Sequence, residues 1–109
     1  MINHEEFKKV EIKAGKILSA EKIPDTDKLL RLSVDFAEAS PRQIVSGISA
    51  YFPDTSVLVG RTCMFVTNLE PRVIRGLESN GMLFAISDEE GNFSLLEPNA
   101  SIRPGTLAK

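Results

Sequence analysis

From Leu30 to Phe36 every second residue is apolar: Leu30, Leu32, Val34 and Phe36 alternate with Arg31, Ser33 and Asp35. A two-residue period belongs to extended chain with one buried face, because successive side chains of a strand point to opposite sides. Similar short runs lie on both sides. Val10, Ile12 and Ala14 alternate with Glu11 and Lys13, Gly15 interrupts, and Ile17 and Leu18 resume. The glycine predicts a bulge or sharp bend, by which one long strand serves both sides of a small barrel. Arg42 to Ile48, Arg61 to Leu69 and Gly81 to Ser87 read as the third, fourth and fifth strands. Asp88-Glu89-Glu90-Gly91 is a hairpin turn ahead of Phe93-Ser94-Leu95-Leu96. Pro24-Asp25-Thr26-Asp27 and Ala37 to Pro41 are turns, and Tyr51 to Gly60 is a connection with one helical turn. Asn3 followed by His4, Glu5, Glu6 and Phe7 reads as a capped short helix. Short strands, little helix and a bent first strand indicate a small all-β barrel. An OB-fold, an SH3-like barrel and an open sandwich all satisfy that pattern.

At 109 residues, 42% hydrophobic and 26% charged, the chain has the size and balance of one ordinary soluble domain, spanning 1–109. No apolar run approaches the ~20 residues that cross a bilayer as a helix. MINHEEFKKV carries acids and lysines where a signal peptide needs an apolar core, so a cytoplasmic location is expected, with no membrane partner. The single cysteine, Cys63, lies in an apolar run and reads as a small buried residue. One histidine, His4, and one cysteine make a poor basis for zinc binding or for nucleophilic catalysis. Gly76, Gly81 and Gly91 fit neither phosphate-loop nor dinucleotide spacing. The expectation is therefore no catalytic residue, no metal and no cofactor.

The net charge of −2 runs against the strong basicity of many nucleic-acid binders, but its distribution is uneven. Residues 1–36 carry seven basic and seven acidic side chains. Residues 41–82 hold Arg42, Arg61, Arg72 and Arg75 against Asp54, Glu70 and Glu78, and the acid excess falls mainly at Asp88, Glu89, Glu90 and Glu97. A locally positive face is compatible with this. With no tryptophan, one tyrosine and six phenylalanines mostly inside apolar runs, few rings are left for an exposed stacking platform. Scattered arginine, serine and asparagine instead suit folded RNA, read by backbone and shape.

Three segments carry a resemblance. Asp27-Lys28-Leu29 precedes the second strand, and Arg42-Gln43-Ile44-Val45-Ser46-Gly47-Ile48 forms the third. The run from Asn68 to Met82 contains Asn68, Leu69, Pro71, Arg72, Arg75, Gly76, Ser79, Gly81 and Met82 in a fixed spacing. Together they resemble the tRNA-binding domain family, whose OB-fold modules occur alone in bacteria or attached to methionyl-tRNA synthetase and synthetase-associated proteins. The resemblance covers nearly the whole chain from Phe7 onward. It implies a five-stranded OB-fold barrel with a short N-terminal helix and a C-terminal extension. It also implies a non-catalytic tRNA-binding module that assists aminoacylation, as a C-terminal domain or separate partner of methionyl-tRNA synthetase. Carried over by residue, the RNA surface comprises Lys28, Arg31, Arg42, Asn68, Arg72, Arg75, Ser79 and Met82. Gly47 is expected to allow a close backbone approach within the barrel.

Two positions depart from the family pattern: Glu70 and Val73 stand where basic residues are common. Each lost phosphate contact removes a counterion-release contribution, so weaker and less salt-sensitive binding is expected. The resemblance further implies a homodimer, with Phe7, Phe93, Leu95, Leu96, Ile102 and Leu107 as candidate contacts. The alternative is a chaperone-like or protein-interaction OB-fold dimer without an RNA role, which the net negative charge favours.

Overall fold

In the computed structural model, which describes residues 1–109, the alternation of Leu30–Phe36 becomes an inner strand of a coiled sheet. The strands are β1 (Ile12–Lys22), β2 (Leu30–Asp35), β3 (Arg42–Ser46), β4 (Thr62–Val66), β5 (Arg72–Ile74), β6 (Leu77–Ser79), β7 (Met82–Leu83), β8 (Ala85–Ser87) and β9 (Phe93–Leu95). A helix α1 (His4–Phe7) precedes them, and two 3-10 turns, Ser49–Tyr51 and Thr55–Leu58, connect β3 to β4. Five strands form one antiparallel sheet in the order β3-β2-β1-β4-β7, nearly closed into an OB-like barrel. No helix is long and apolar enough to cross a membrane.

β1 serves both sides of the barrel, as its length suggested. Its first half pairs with β4, from Ile12 opposite Val66 to Lys16 opposite Thr62, and its second half pairs with β2. The irregularity that coils it lies between Ile17 and Ser19, not at Gly15. Gly15 has another role. A Cβ there would stand 2.5 Å from Phe36 Cε1 and 2.7 Å from Val34 Cγ1, so its bare backbone makes room for the Phe36 ring. That ring meets Phe65 edge to face at 5.1 Å, a favoured aromatic geometry. Ile17, Leu30, Leu32, Val34, Ile44, Leu58, Cys63 and Phe65 fill the barrel around the pair, essentially without solvent contact. Burial pushes the Cys63 thiol up to about 11.

The sequence reading differs from the structure in three further places. Residues 72–79, to which the sequence reading assigns no strand, are a hairpin, β5 and β6. Arg75 and Gly76, both left-handed at φ 53° and 78°, make the two-residue connection. Two left-handed residues in succession match the twist of paired strands, and this explains how so short a link holds. The expected fifth strand is divided at Phe84: β7 pairs with β4, whereas β8 turns away to pair with β9. Gly47 is exposed, and a Cβ built on it meets nothing within 4 Å, so close packing is not its role.

The termini are tied down by backbone and cap bonds. Asn3 Oδ1 accepts from the Glu6 amide at 2.9 Å, capping α1. The C-terminal tail lies along β1: the Ala14 amide donates to Thr106 O at 2.9 Å, and the Gly105 and Ala108 amides donate back to Ala14 O and Ile12 O. Ile102 and Leu107 remain exposed on it. Leu95 is buried in the core at 5% exposure, which removes it from any surface contact.

Candidate nucleic-acid interface

The β5–β6 hairpin does not extend the main sheet; it leans on the outer edge of β3 through a few polar bonds. Ser79 Oγ, 5% exposed with its residue, accepts from the Val45 amide at 3.0 Å and donates to Gly81 O at 3.2 Å. The Asn80 amide donates to Gln43 O at 2.9 Å, and Gln43 Nε2 donates to Glu78 O at 2.9 Å. These bonds satisfy edge groups of β3 that would otherwise be buried without partners. Between β3 and the hairpin runs a groove of about 180 Å³, floored by Val45 and Leu83 and edged by Gly47, Arg72, Glu70 and Met82.

The residues expected to contact RNA fall into two groups. Arg72 and Arg75 are exposed, make no ion pair, and stand on the hairpin strand and its turn. Lys28 is also exposed and unpaired, while its carbonyl accepts from the Ser49 amide at 3.0 Å. Met82 is 45% exposed and faces the groove, not the core. Its polarizable thioether suits a flat apolar group.

The second group is built into the fold. Arg42 donates from Nε and Nη2 to the two oxygens of Glu38, both at 2.7 Å. Its Nη1 donates to Thr67 O at 2.6 Å and Asn80 O at 3.2 Å, and the guanidinium lies over the Phe36 ring at 5.3 Å. This bidentate pair holds the Glu38 carboxyl below its ordinary range and raises the guanidinium still further. Asn68 is likewise engaged: Oδ1 accepts from the Glu11 amide at 2.8 Å, and Nδ2 donates to Lys9 O at 2.6 Å. It fastens the chain before β1 to the chain after β4. Arg31 forms a cross-strand ion pair with Glu21 at 2.8 Å, on half-exposed side chains that solvent screens.

Glu70 and Val73 leave the face less basic than the hairpin's arginines alone would make it. Val73 is 74% exposed opposite Glu78, and Glu70 edges the groove without pairing to Arg72. No group of His, Cys, Asp or Glu is arranged to hold a metal ion.

Sequence reasoning missed one surface feature. Tyr51 and Phe93 stack at 3.9 Å with 10° between their planes, and Phe52 meets Phe93 edge on at 5.8 Å. Phe93 follows a tight turn and Tyr51 ends a 3-10 turn forty-two residues earlier, so no local pattern joins them.

Residues 12–107 match the family described as "Putative tRNA binding domain". Over 107 residues the chain is 51% identical to a methionine–tRNA ligase of Methanoregula boonei, covering 97% of this chain and 15% of that protein. Over 108 residues it is 46% identical to a methionine–tRNA ligase of Myxococcus xanthus, covering 99% of this chain and 15% of that one. It thus spans about 15% of the length of these relatives. A MetRS-related protein from Pyrococcus horikoshii superposes with a TM-score of 0.90 at 36% identity, covering 100% of this chain and 98% of the other. Chaperone CsaA from Bacillus anthracis superposes at 0.87 with 28% identity, covering 100% and 99%.

Proposed function

The chain belongs to the tRNA-binding domain family, and on that footing we propose that it is a non-catalytic module that binds folded tRNA and assists a methionyl-tRNA synthetase. The observation that carries this reading is the β5–β6 hairpin. It presents Arg72 and Arg75, free of protein partners, beside a groove lined by Met82 and the exposed backbone at Gly47. Arginine meets phosphate bidentately, and a rigid hairpin fixes where it does so. Lys28 extends the cationic surface from the start of β2. Arg31 can exchange Glu21 for a phosphate, because both side chains are open to solvent. Arg42, Asn68 and Ser79 contribute by holding the hairpin and its flanks in place.

Such a surface reads shape and backbone rather than base sequence. Its value to a synthetase is effective concentration: a weak second contact, joined to the first, raises overall affinity by ~10²–10⁴. The chain acts as one domain, in the cytoplasm, with the chemistry of aminoacylation belonging to other residues. Two copies associate through the apolar surface around Leu96, Ile102 and Leu107, with exposed Phe7 as a further candidate contact, and display two RNA faces. Sedimentation that finds only monomer at micromolar concentration refutes the dimer.

The test of the main reading is a fluorescence titration against unfractionated folded tRNA at two salt concentrations, with single-stranded DNA of equal length as control. Salt-dependent binding to tRNA and not to DNA is expected. Absence of binding to either at low salt refutes the proposal. The second reading, a protein-interaction module, then leads, supported by the likeness to chaperone CsaA and by the acids at Glu70 and Glu78.

A further inference from the structure

A second surface feature lies along the same path of backbone as the groove. Below Gly47 the chain turns through Ile48 and Ser49, where the Ser49 amide binds the carbonyl of Lys28, and reaches Tyr51. Four residues span at most ~14 Å, so an RNA held at the groove and Lys28 has Tyr51 within reach. Beside the ring lies a hollow of about 320 Å³ lined by Tyr51, Phe52, Arg61, Phe93, Ser94 and Leu95. It is small for a drug-sized ligand and large enough for a single planar ring system.

The walls are preorganised. Tyr51 is stacked on Phe93, Phe52 buttresses Phe93 edge on, and Arg61 lies over the Phe52 ring at 5.9 Å. Glu97 accepts from Arg61 Nε at 3.0 Å and Nη2 at 2.6 Å, which fixes the guanidinium plane. Arg61 Nη1 has no partner in the protein. Tyr51 is 47% exposed even though stacked, so part of its ring stays open to a ligand. An aromatic ladder that ends in an exposed ring, with a fixed guanidinium donor at its side, offers a base both a stacking surface and a hydrogen bond.

We propose that this hollow takes one unpaired nucleobase of the bound RNA, stacked against the Tyr51–Phe93 ladder and accepting a hydrogen bond from Arg61 Nη1. The inference rests on RNA being the ligand, and adds a base contact to a surface that otherwise reads backbone. It gives the module a preference for folded RNA with an unpaired base near its phosphate contacts over a fully paired duplex.

Tyr51 is the only tyrosine, so 3-fluorotyrosine incorporation places a single fluorine reporter at the site. The full chain is titrated with folded tRNA while ¹⁹F resonance and the anisotropy of labelled tRNA are followed together. The expected result is a fluorine shift that saturates with the anisotropy, a loss of roughly 5- to 150-fold in affinity for Tyr51→Ala, and near-native affinity for Tyr51→Phe. Circular dichroism of both variants confirms that they fold. Binding by anisotropy with no fluorine shift, and an unchanged affinity for Tyr51→Ala, overturns the base site and leaves the tRNA reading standing. No anisotropy change with the wild-type chain defeats both. A fluorine shift on adding an unfolded polypeptide, and none with tRNA, assigns the hollow to protein clients and overturns the proposal.

Discussion

Replacing Arg72 and Arg75 together by glutamine removes two charges that bind nothing within the protein, so its effect should appear in RNA affinity and not in stability. Each phosphate neutralised contributes roughly 0.7–0.9 to the slope of log K against log salt. If both arginines meet phosphates, the double variant should lower that slope by about 1.4–1.8. Referred to 1 M salt, where this contribution vanishes, the pair is worth roughly 25- to 60-fold in affinity at 0.1 M. Anisotropy titrations with folded tRNA between 50 and 300 mM salt measure both quantities. Arg103→Gln is the matched control: it also removes a positive charge that makes no ion pair, but from the tail rather than the hairpin. Thermal melting of all three proteins should coincide. Parallel salt plots for wild type and double variant would refute the argument, as would half the double variant's effect from Arg103→Gln, which removes one charge against two and would then reveal only a response to net charge.

Other expectations test the scaffold. Ser79→Ala strips the partner from the buried Val45 amide and should lower stability by about 1–3 kcal/mol in urea unfolding, weakening RNA binding only as the hairpin loosens. Gly15→Ala forces a methyl group against Phe36 and Val34, and overpacking of this kind costs about 1–3 kcal/mol in the same assay. Glu11, Glu38 and Glu97 have folded-state values held below their ordinary value of 4.5, through the Thr67 hydroxyl, Arg42 and Arg61 respectively. Their contribution is therefore complete above pH 4.5 and lost as pH falls through the depressed values, so acid should destabilise the chain below about pH 4.5, and Glu97→Gln should flatten that limb.

The alternating strands were legible because a half-buried strand writes its two faces directly into sequence: Leu30, Leu32, Val34 and Phe36 are all in the core. The β5–β6 hairpin was not, because each strand has three residues, too short for alternation to register, and its turn is Arg75-Gly76 rather than the Asn-Gly pair that signals such turns. Gly15 was identified as special and assigned the wrong cause. A glycine in a strand marks either a bulge or a close approach, and only the position of the Phe36 ring decides between them. The Tyr51–Phe93 stack was illegible for a different reason, since no local pattern joins its two rings. For the candidate site, the motif named residues but did not divide them into free and engaged side chains. Whether an arginine is free or engaged is a property of its neighbours in space.

That division bears on how an acidic chain can serve a polyanion. Five of the 13 lysines and arginines, Lys8, Lys13, Arg31, Arg42 and Arg61, are paired with glutamates at the surface, so part of the charge cancels locally. The hairpin's arginines escape cancellation because no carboxylate anchors the hairpin: it is held by bonds of Ser79, Asn80 and Gln43 with backbone and by the Arg42 guanidinium on Asn80 O. Had a surface carboxylate anchored the hairpin instead, it would have competed with phosphate for the same guanidinium groups. Glu70 comes nearest to that role, edging the groove beside Arg72 without pairing to it. A modest electrostatic contact of this kind is sufficient where linkage to another RNA-binding site supplies the concentration.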